Sequence, residues 1–162
     1  MKKRWVSFGS VAAVAAGLFL TASEARALGP LSFYSITPCR LVDTRGPTGV
    51  TGGPALAAAS TRNFPVRGVG TCGIPSLAKA AVFNLTAIQP GQNGNLVVSP
   101  YPMPNPIPNI SVLNYNAGEF AIANGAIVPL GVSTFDISVY TNVAPGSTAP
   151  VHLVVDVTGY FQ

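Results

Sequence analysis

The stretch that sets the fold class reads Thr134-Phe135-Asp136-Ile137-Ser138-Val139-Tyr140-Thr141. Apolar and polar side chains alternate along it, which is the period of a β-strand with one buried face. The pattern predicts Phe135, Ile137 and Val139 in a core, with Asp136 and Ser138 on the opposite face. No segment after residue 27 shows the length and 3.6-residue period of an amphipathic helix.

A second alternating run closes the chain. Its predicted buried face carries Val151, Leu153, Val155 and Val157, and its other face carries His152, Val154, Asp156, Thr158 and Tyr160. Seven further strand-like segments lie between Gly, Pro and Asn turns, at 31–36, 40–45, 61–67, 80–88, 95–99, 110–115 and 121–130. About nine strands at this spacing predict an all-β antiparallel sandwich, jelly-roll or immunoglobulin-like, with a closed barrel as the alternative.

Residues 1–27 contain the three parts of a cleavable export signal. A basic start at residues 2–4 precedes an apolar run at 11–20 and the small-residue site Ala25-Arg26-Ala27. The apolar run is shorter than the ~20 residues of a membrane-spanning helix. We therefore expect a signal peptide at 1–27 and one secreted domain at 28–162, without a membrane span, in the extracellular space, at the cell surface or in the periplasm.

The formal charge of +4 belongs mostly to this signal. Of nine Lys and Arg and five Asp and Glu, four cations and one anion lie in residues 1–27. The remainder is almost neutral, so the composition gives no reason to expect nucleic acid or an anionic membrane as a partner.

Cys39 and Cys72 are the two cysteines of the chain. In an exported protein this predicts one disulfide between them. The alternatives, a metal pair or a catalytic thiol, need partner side chains, and the chain has one His and no further thiol. We expect neither a metal nor a cofactor.

Charge is concentrated in the segment 40–45. Asp43 and Arg45 share a strand face there, Arg40 should face the other way, and Asp156 is a further partner on the last strand. We interpret Arg40, Asp43, Arg45 and Asp156 as a partly buried ion-pair network that fixes strand register, so replacing Asp43 should cost more stability than replacing Asp136. The alternative is an arginine site for a small anion or a carboxylated sugar.

Several motifs, in this order, resemble those of a bacterial secreted module family. They are Pro38-Cys39-Arg40-Leu41-Val42-Asp43-Thr44-Arg45, Gly73-Ile74-Pro75, Ala80-Ala81-Val82-Phe83-Asn84-Leu85-Thr86, Ser111-Val112-Leu113-Asn114-Tyr115, Ala123-Asn124 and Val155-Asp156-Val157-Thr158-Gly159-Tyr160-Phe161. The family is the extracellular "PCRLVDTR … DVTGYF" module, found alone, in tandem or beside cell-wall hydrolases. The resemblance implies an accessory or structural surface module without catalytic activity.

The residues themselves also favour a non-enzymatic protein. A glycoside hydrolase needs two facing carboxylates, and no Gly-x-Ser-x-Gly elbow accompanies the single His152. We expect a structural or adhesion module that associates with itself through exposed strand edges. The alternative is a module that binds carbohydrate or cell wall through Tyr140, Tyr160 and nearby arginines, and a hydrolase is the weakest interpretation.

Overall fold

Eight strands form the described chain, which comprises residues 29–162 of this computed structural model. In chain order they are β1 (Phe33–Asp43), β2 (Thr61–Phe64), β3 (Ala80–Ile88), β4 (Gly94–Pro100), β5 (Leu113–Tyr115), β6 (Ala121–Pro129), β7 (Ile137–Val143) and β8 (His152–Phe161). The expected export signal lies outside the described residues. Within residues 29–162, no helix is long and apolar enough to cross a membrane.

The strands pair in a nested order. One sheet has the order β1-β8-β3-β6 and the other β2-β7-β4-β5, and every pairing is antiparallel. Strand 1 therefore pairs with 8, 2 with 7, 3 with 6 and 4 with 5, as in one long hairpin wrapped into two sheets. This is jelly-roll topology. The predicted all-β sandwich is confirmed, and two separate sheets take the place of a closed barrel.

The core lies between the two sheets. Strand β3 contributes Phe83 and Leu85, β4 contributes Leu96, and β7 contributes Ile137 and Val139, all of them almost completely buried. Ile137 and Val139 occupy the face that their alternation predicted. Phe135 is different, because it precedes β7, is half-buried, and packs edge-on against Tyr101 at 5.5 Å between ring centroids.

The strand count is eight because two predicted segments form one strand. The segments 31–36 and 40–45 join into β1, which runs through Pro38 along the edge of its sheet. The register against β8 shifts between Ser35 and Cys39 and again between Arg40 and Val42. Proline lacks the N–H that a ladder needs, and an edge strand with bulges tolerates that loss.

Candidate functional site

Four charged residues lie together where β1 pairs with β8. Arg40 and Asp156 are register partners. The Arg40 guanidinium donates to both Asp156 oxygens, from Nε to Oδ1 at 2.6 Å and from Nη2 to Oδ2 at 3.1 Å. Asp43 joins two arginines, since its Oδ2 accepts from Arg40 Nη1 at 3.2 Å and from Arg45 Nη2 at 2.6 Å. Two carboxylates and two guanidinium groups thus form one balanced cluster.

The expectation that Arg40 faces away from Asp43 is wrong. The register shift at Leu41 inserts one extra residue into β1, which restarts the alternation of side chains. Leu41 and Val42 are consequently both buried, at 5% and 0% exposure. Arg40 and Asp43 flank this pair and lie on the same side of the strand, where they bind each other.

The cluster is more exposed than expected. The Arg40 and Arg45 side chains are about half exposed, and the two carboxylates about a quarter. The Arg45 side chain hydrogen-bonds Asp43 and holds the pKa of that carboxyl well below its usual range. The hydrogen bond to Asp156 likewise favours the charged form of Arg40, which raises the pKa of Arg40. Because each guanidinium already has a carboxylate, the geometry favours a structural cluster over an anion site.

Cys39 and Cys72 form the predicted disulfide, with their Cα atoms 5.4 Å apart. The bond ties β1 to the segment between β2 and β3, whose Val66 and Ile74 are buried in the core. The sequence separation is 33 residues. Closing a loop of that length stabilises the fold by roughly 3–4 kcal/mol in the chain-entropy model.

A second ion pair, which sequence reasoning missed, lies inside the molecule. Asp136 is 4% exposed and not on the solvent side as its alternation suggested. Its Oδ1 accepts from Arg67 Nε at 2.6 Å, and its Oδ2 accepts from the backbone N–H groups of Val66 at 2.5 Å and Arg67 at 2.9 Å. Arg67 Nη2 also donates to the carbonyl of Gly131. The pair connects the β2–β3 segment to the start of β7.

Because Asp136 is the buried acid, we expect its replacement, and not that of Asp43, to cost more stability. The buried carboxylate is Asp136, and the expectation rested on the wrong acid. A signal was available in the sequence, because Asp136 is the only charged residue between residues 120 and 155. An isolated acid within an otherwise uncharged strand sequence indicates a paired, buried carboxylate, since an exposed strand face usually carries several charged side chains.

The other titratable candidates are engaged in local contacts. His152 Nδ1 lies 3.2 Å from both the hydroxyl and the carbonyl oxygen of Thr44. The Glu119 carboxylate accepts from the backbone N–H of Asn116 at 2.9 Å and from its amide at 3.0 Å, which lowers the pKa of Glu119. Across residues 29–162, no group of three His, Cys, Asp or Glu side chains could hold a metal ion.

Tyr140 and Tyr160 do not share a surface. Tyr140 lies on the outer face of the β2-β7-β4-β5 sheet, beside Val97 in register. In β8 a register shift at Thr158 reverses the alternation, so Tyr160 pairs with the inward-facing Ala81. Tyr160 packs against the core edge and stacks on Tyr34 at 5.2 Å between centroids. The two tyrosines therefore do not form one carbohydrate-binding surface.

One open cleft lies at the end of the second sheet where β4 begins. It is shallow and has a volume of about 500 Å³. Strands β5, β4 and β7 and the turns beside them supply its lining, which includes Asn93, Asn95, Asn114, Tyr115, Asn116 and Asn142. Its walls thus consist of amides, one phenol ring and small residues, without a charged side chain among the lining residues that the structure describes.

Comparison of the chain with protein-family models, with curated proteins and with solved structures finds no match in any of the three.

Proposed function

We propose that the protein is a non-enzymatic structural component of a bacterial surface or secreted matrix, and that it acts by associating with itself through strand β6. Support for a non-catalytic role comes from the acids of the described chain. Asp43, Asp136 and Asp156 are each bound by arginine, and Glu119 is bound by Asn116. A glycoside hydrolase needs two carboxylates that face the substrate, and none of these four is left unpaired for that role.

Support for self-association comes from a comparison of the four sheet edges. Strands β2 and β5 are edges of four and three residues. Short edges offer few unpaired backbone groups to another chain. The remaining edges are β1 and β6, which lie at opposite sides of the β1-β8-β3-β6 sheet.

The edge of β1 is protected. Pro38 and two register shifts interrupt it. The N–H of Asp43, which points away from β8, donates to the carbonyl of Thr51 at 2.9 Å. Arg62 holds that covering loop through the carbonyls of Gly49 and Gly52, each at 2.7 Å. Proline, bulges and covering loops are the devices by which proteins block edge pairing.

The edge of β6 has no proline or bulge along its length, and the segment before β5 meets it at one side chain, where Asn124 Nδ2 donates to the carbonyl of Val112 at 2.6 Å. The strand pairs with β3 over nine residues without a register shift, and Pro129 stands only at its end. Residues 120–135 carry no charge, and Ile127 is 62% exposed. Alternate N–H and C=O groups of an antiparallel edge strand point outward and need a partner or water. An identical strand, related by a two-fold axis near Gly125, supplies an antiparallel partner of the same kind.

The test is the oligomeric state of the purified protein, measured by size-exclusion chromatography with light scattering over a range of concentrations. We expect a dimer or larger oligomer that Ile127→Lys converts to monomer, since an edge lysine opposes strand pairing. Val132→Lys is the matched control, because Val132 is 97% exposed and lies outside β6. A monomeric wild type, or equal effects of the two lysines, would refute the proposal.

A further inference from the structure

An unusual row of amides crosses the second sheet. Asn95 of β4 is in register with Asn114 of β5 on one side and with Asn142 of β7 on the other. Neighbouring strands are about 4.8 Å apart, so three amides follow one another across the outer face of the sheet at that spacing. Asn93 and Asn116 extend the amide surface at the adjoining turns of the cleft.

The rim of this cleft is held in place by its own hydrogen bonds. Asn93 Oδ1 accepts from the N–H of Ala117 at 2.7 Å, and Asn116 Nδ2 donates to Glu119 at 3.0 Å. Asn114 Oδ1 accepts from the Ser111 hydroxyl at 2.9 Å. These bonds fix the amides but leave the Asn114 Nδ2 group available. The surface is therefore ordered before any ligand arrives, which reduces the entropy cost of binding.

The central amide of the row has a buried oxygen without a partner. Three buried side-chain atoms in the described residues lack a hydrogen-bond partner, Asn95 Oδ1, Tyr115 Oη and Gln92 Nε2. Asn95 lines the cleft. The Tyr115 ring lies on the core side of β5, opposite to Asn114, and Gln92 lies outside the lining, where its Oε1 accepts from the N–H of Ala149. Tyr115 is 3% exposed. Buried polar groups are normally satisfied, so the unpartnered Asn95 Oδ1 at the centre of the amide row points to a polar occupant.

We propose that this cleft binds a neutral, hydroxyl-rich glycan chain. An asparagine amide offers two donors and an acceptor, which matches sugar hydroxyls that both donate and accept. The uncharged lining gives no attraction to an anionic or cationic ligand. The row of three amides runs across strands and fits an extended chain, and Val143 and Ala144 provide apolar surface beside it. This site is on the sheet opposite to β6, so it does not depend on self-association.

The experiment is an NMR titration of the isotopically labelled protein with cellohexaose, chitohexaose and mannohexaose as neutral probes and polygalacturonate as the anionic comparison. We expect at least one neutral probe to shift the signals of Asn95, Asn114 and Asn142. Asn142→Ala should weaken that affinity about tenfold, the equivalent of one hydrogen bond. Asn109→Ala is the matched control, because this exposed asparagine lies in the loop between β4 and β5, outside the cleft lining.

Several results would overturn the proposal. They are the absence of any shift with all three neutral probes at millimolar concentration, shifts confined to residues away from the cleft, tighter binding of polygalacturonate, or equal loss of affinity in Asn142→Ala and Asn109→Ala. The melting temperature of each variant, measured without ligand, shows whether it folds. Asn142 is exposed, so Asn142→Ala should melt like the wild type.

Discussion

Replacing Asp136 by alanine should be among the most destabilising single changes outside the apolar core. The substitution leaves the Arg67 guanidinium, which is 19% exposed, without its carboxylate. It also removes the acceptor of the Val66 N–H, a residue with 0% exposure. Breaking a buried ion pair by removing one partner costs about 3–5 kcal/mol, because the remaining charge is uncompensated. This is a large share of the ~5–15 kcal/mol that holds a typical domain together.

The assay is urea unfolding followed by circular dichroism and by fluorescence, with Asp43→Ala as the matched control. Asp43 loses pairs whose arginines are about half exposed, so its cost should be about 1 kcal/mol. If Asp136→Ala does not accumulate as folded protein, Asp136→Asn provides the comparison, since it retains one acceptor oxygen. The double variant Arg67→Met with Asp136→Leu should cost less than Asp136→Ala alone, because no unpaired buried charge then remains, although the Val66 N–H still lacks its acceptor. Equal losses in Asp136→Ala and Asp43→Ala would refute the reasoning.

Three further predictions follow from other contacts. Cys39→Ala with Cys72→Ala should lower the free energy of unfolding by roughly 3–4 kcal/mol, measured by urea denaturation, and reduction of the wild type should reproduce that loss. The stabilisation from Asp43 is fully present above the ordinary carboxyl pKa of 3.8 and should disappear as pH falls toward the depressed pKa of the folded state. The difference in free energy of unfolding between the wild type and Asp43→Asn should therefore shrink from pH 7 to pH 2. Arg62→Lys should increase amide hydrogen exchange at 49–53, because the lysine ammonium cannot reach the several loop carbonyls to which the guanidinium donates. Unchanged exchange would contradict this role of Arg62.

The sequence predicted the fold class and most strands because period-two alternation directly reflects a sheet with one buried face. It predicted the disulfide because two cysteines allow a single intramolecular pair. The facing of Arg40 and of Tyr160 could not be predicted, because each follows or adjoins a bulge that reverses the alternation. A bulge depends on how the partner strand pairs, which a single strand sequence does not contain.

The asparagine cleft could not be predicted from the sequence, for a related reason. Asn95, Asn114 and Asn142 are far apart in sequence, and only the order β5-β4-β7 places them side by side. Asp136 was misplaced although its own strand was correctly predicted, because its partner Arg67 comes from another segment, 69 residues away. Strand alternation describes one chain segment, whereas both features depend on which segments become neighbours.

The bulges that made the side-chain directions hard to predict also determine which sheet edge is suited to self-association. Within the β1-β8-β3-β6 sheet, every register shift involves β1 or β8, while β3 and β6 pair without one. A bulge twists its strand and disrupts the ladder, so it makes side-chain facing hard to predict and at the same time makes an edge unsuitable for another chain. In a strand without bulges, the direction of the side chains is easier to predict, and the edge is better suited to pairing with another chain. Strand β6 pairs with β3 without a shift, so its outward-pointing N–H and C=O groups keep the regular antiparallel pattern that pairing with an identical strand requires.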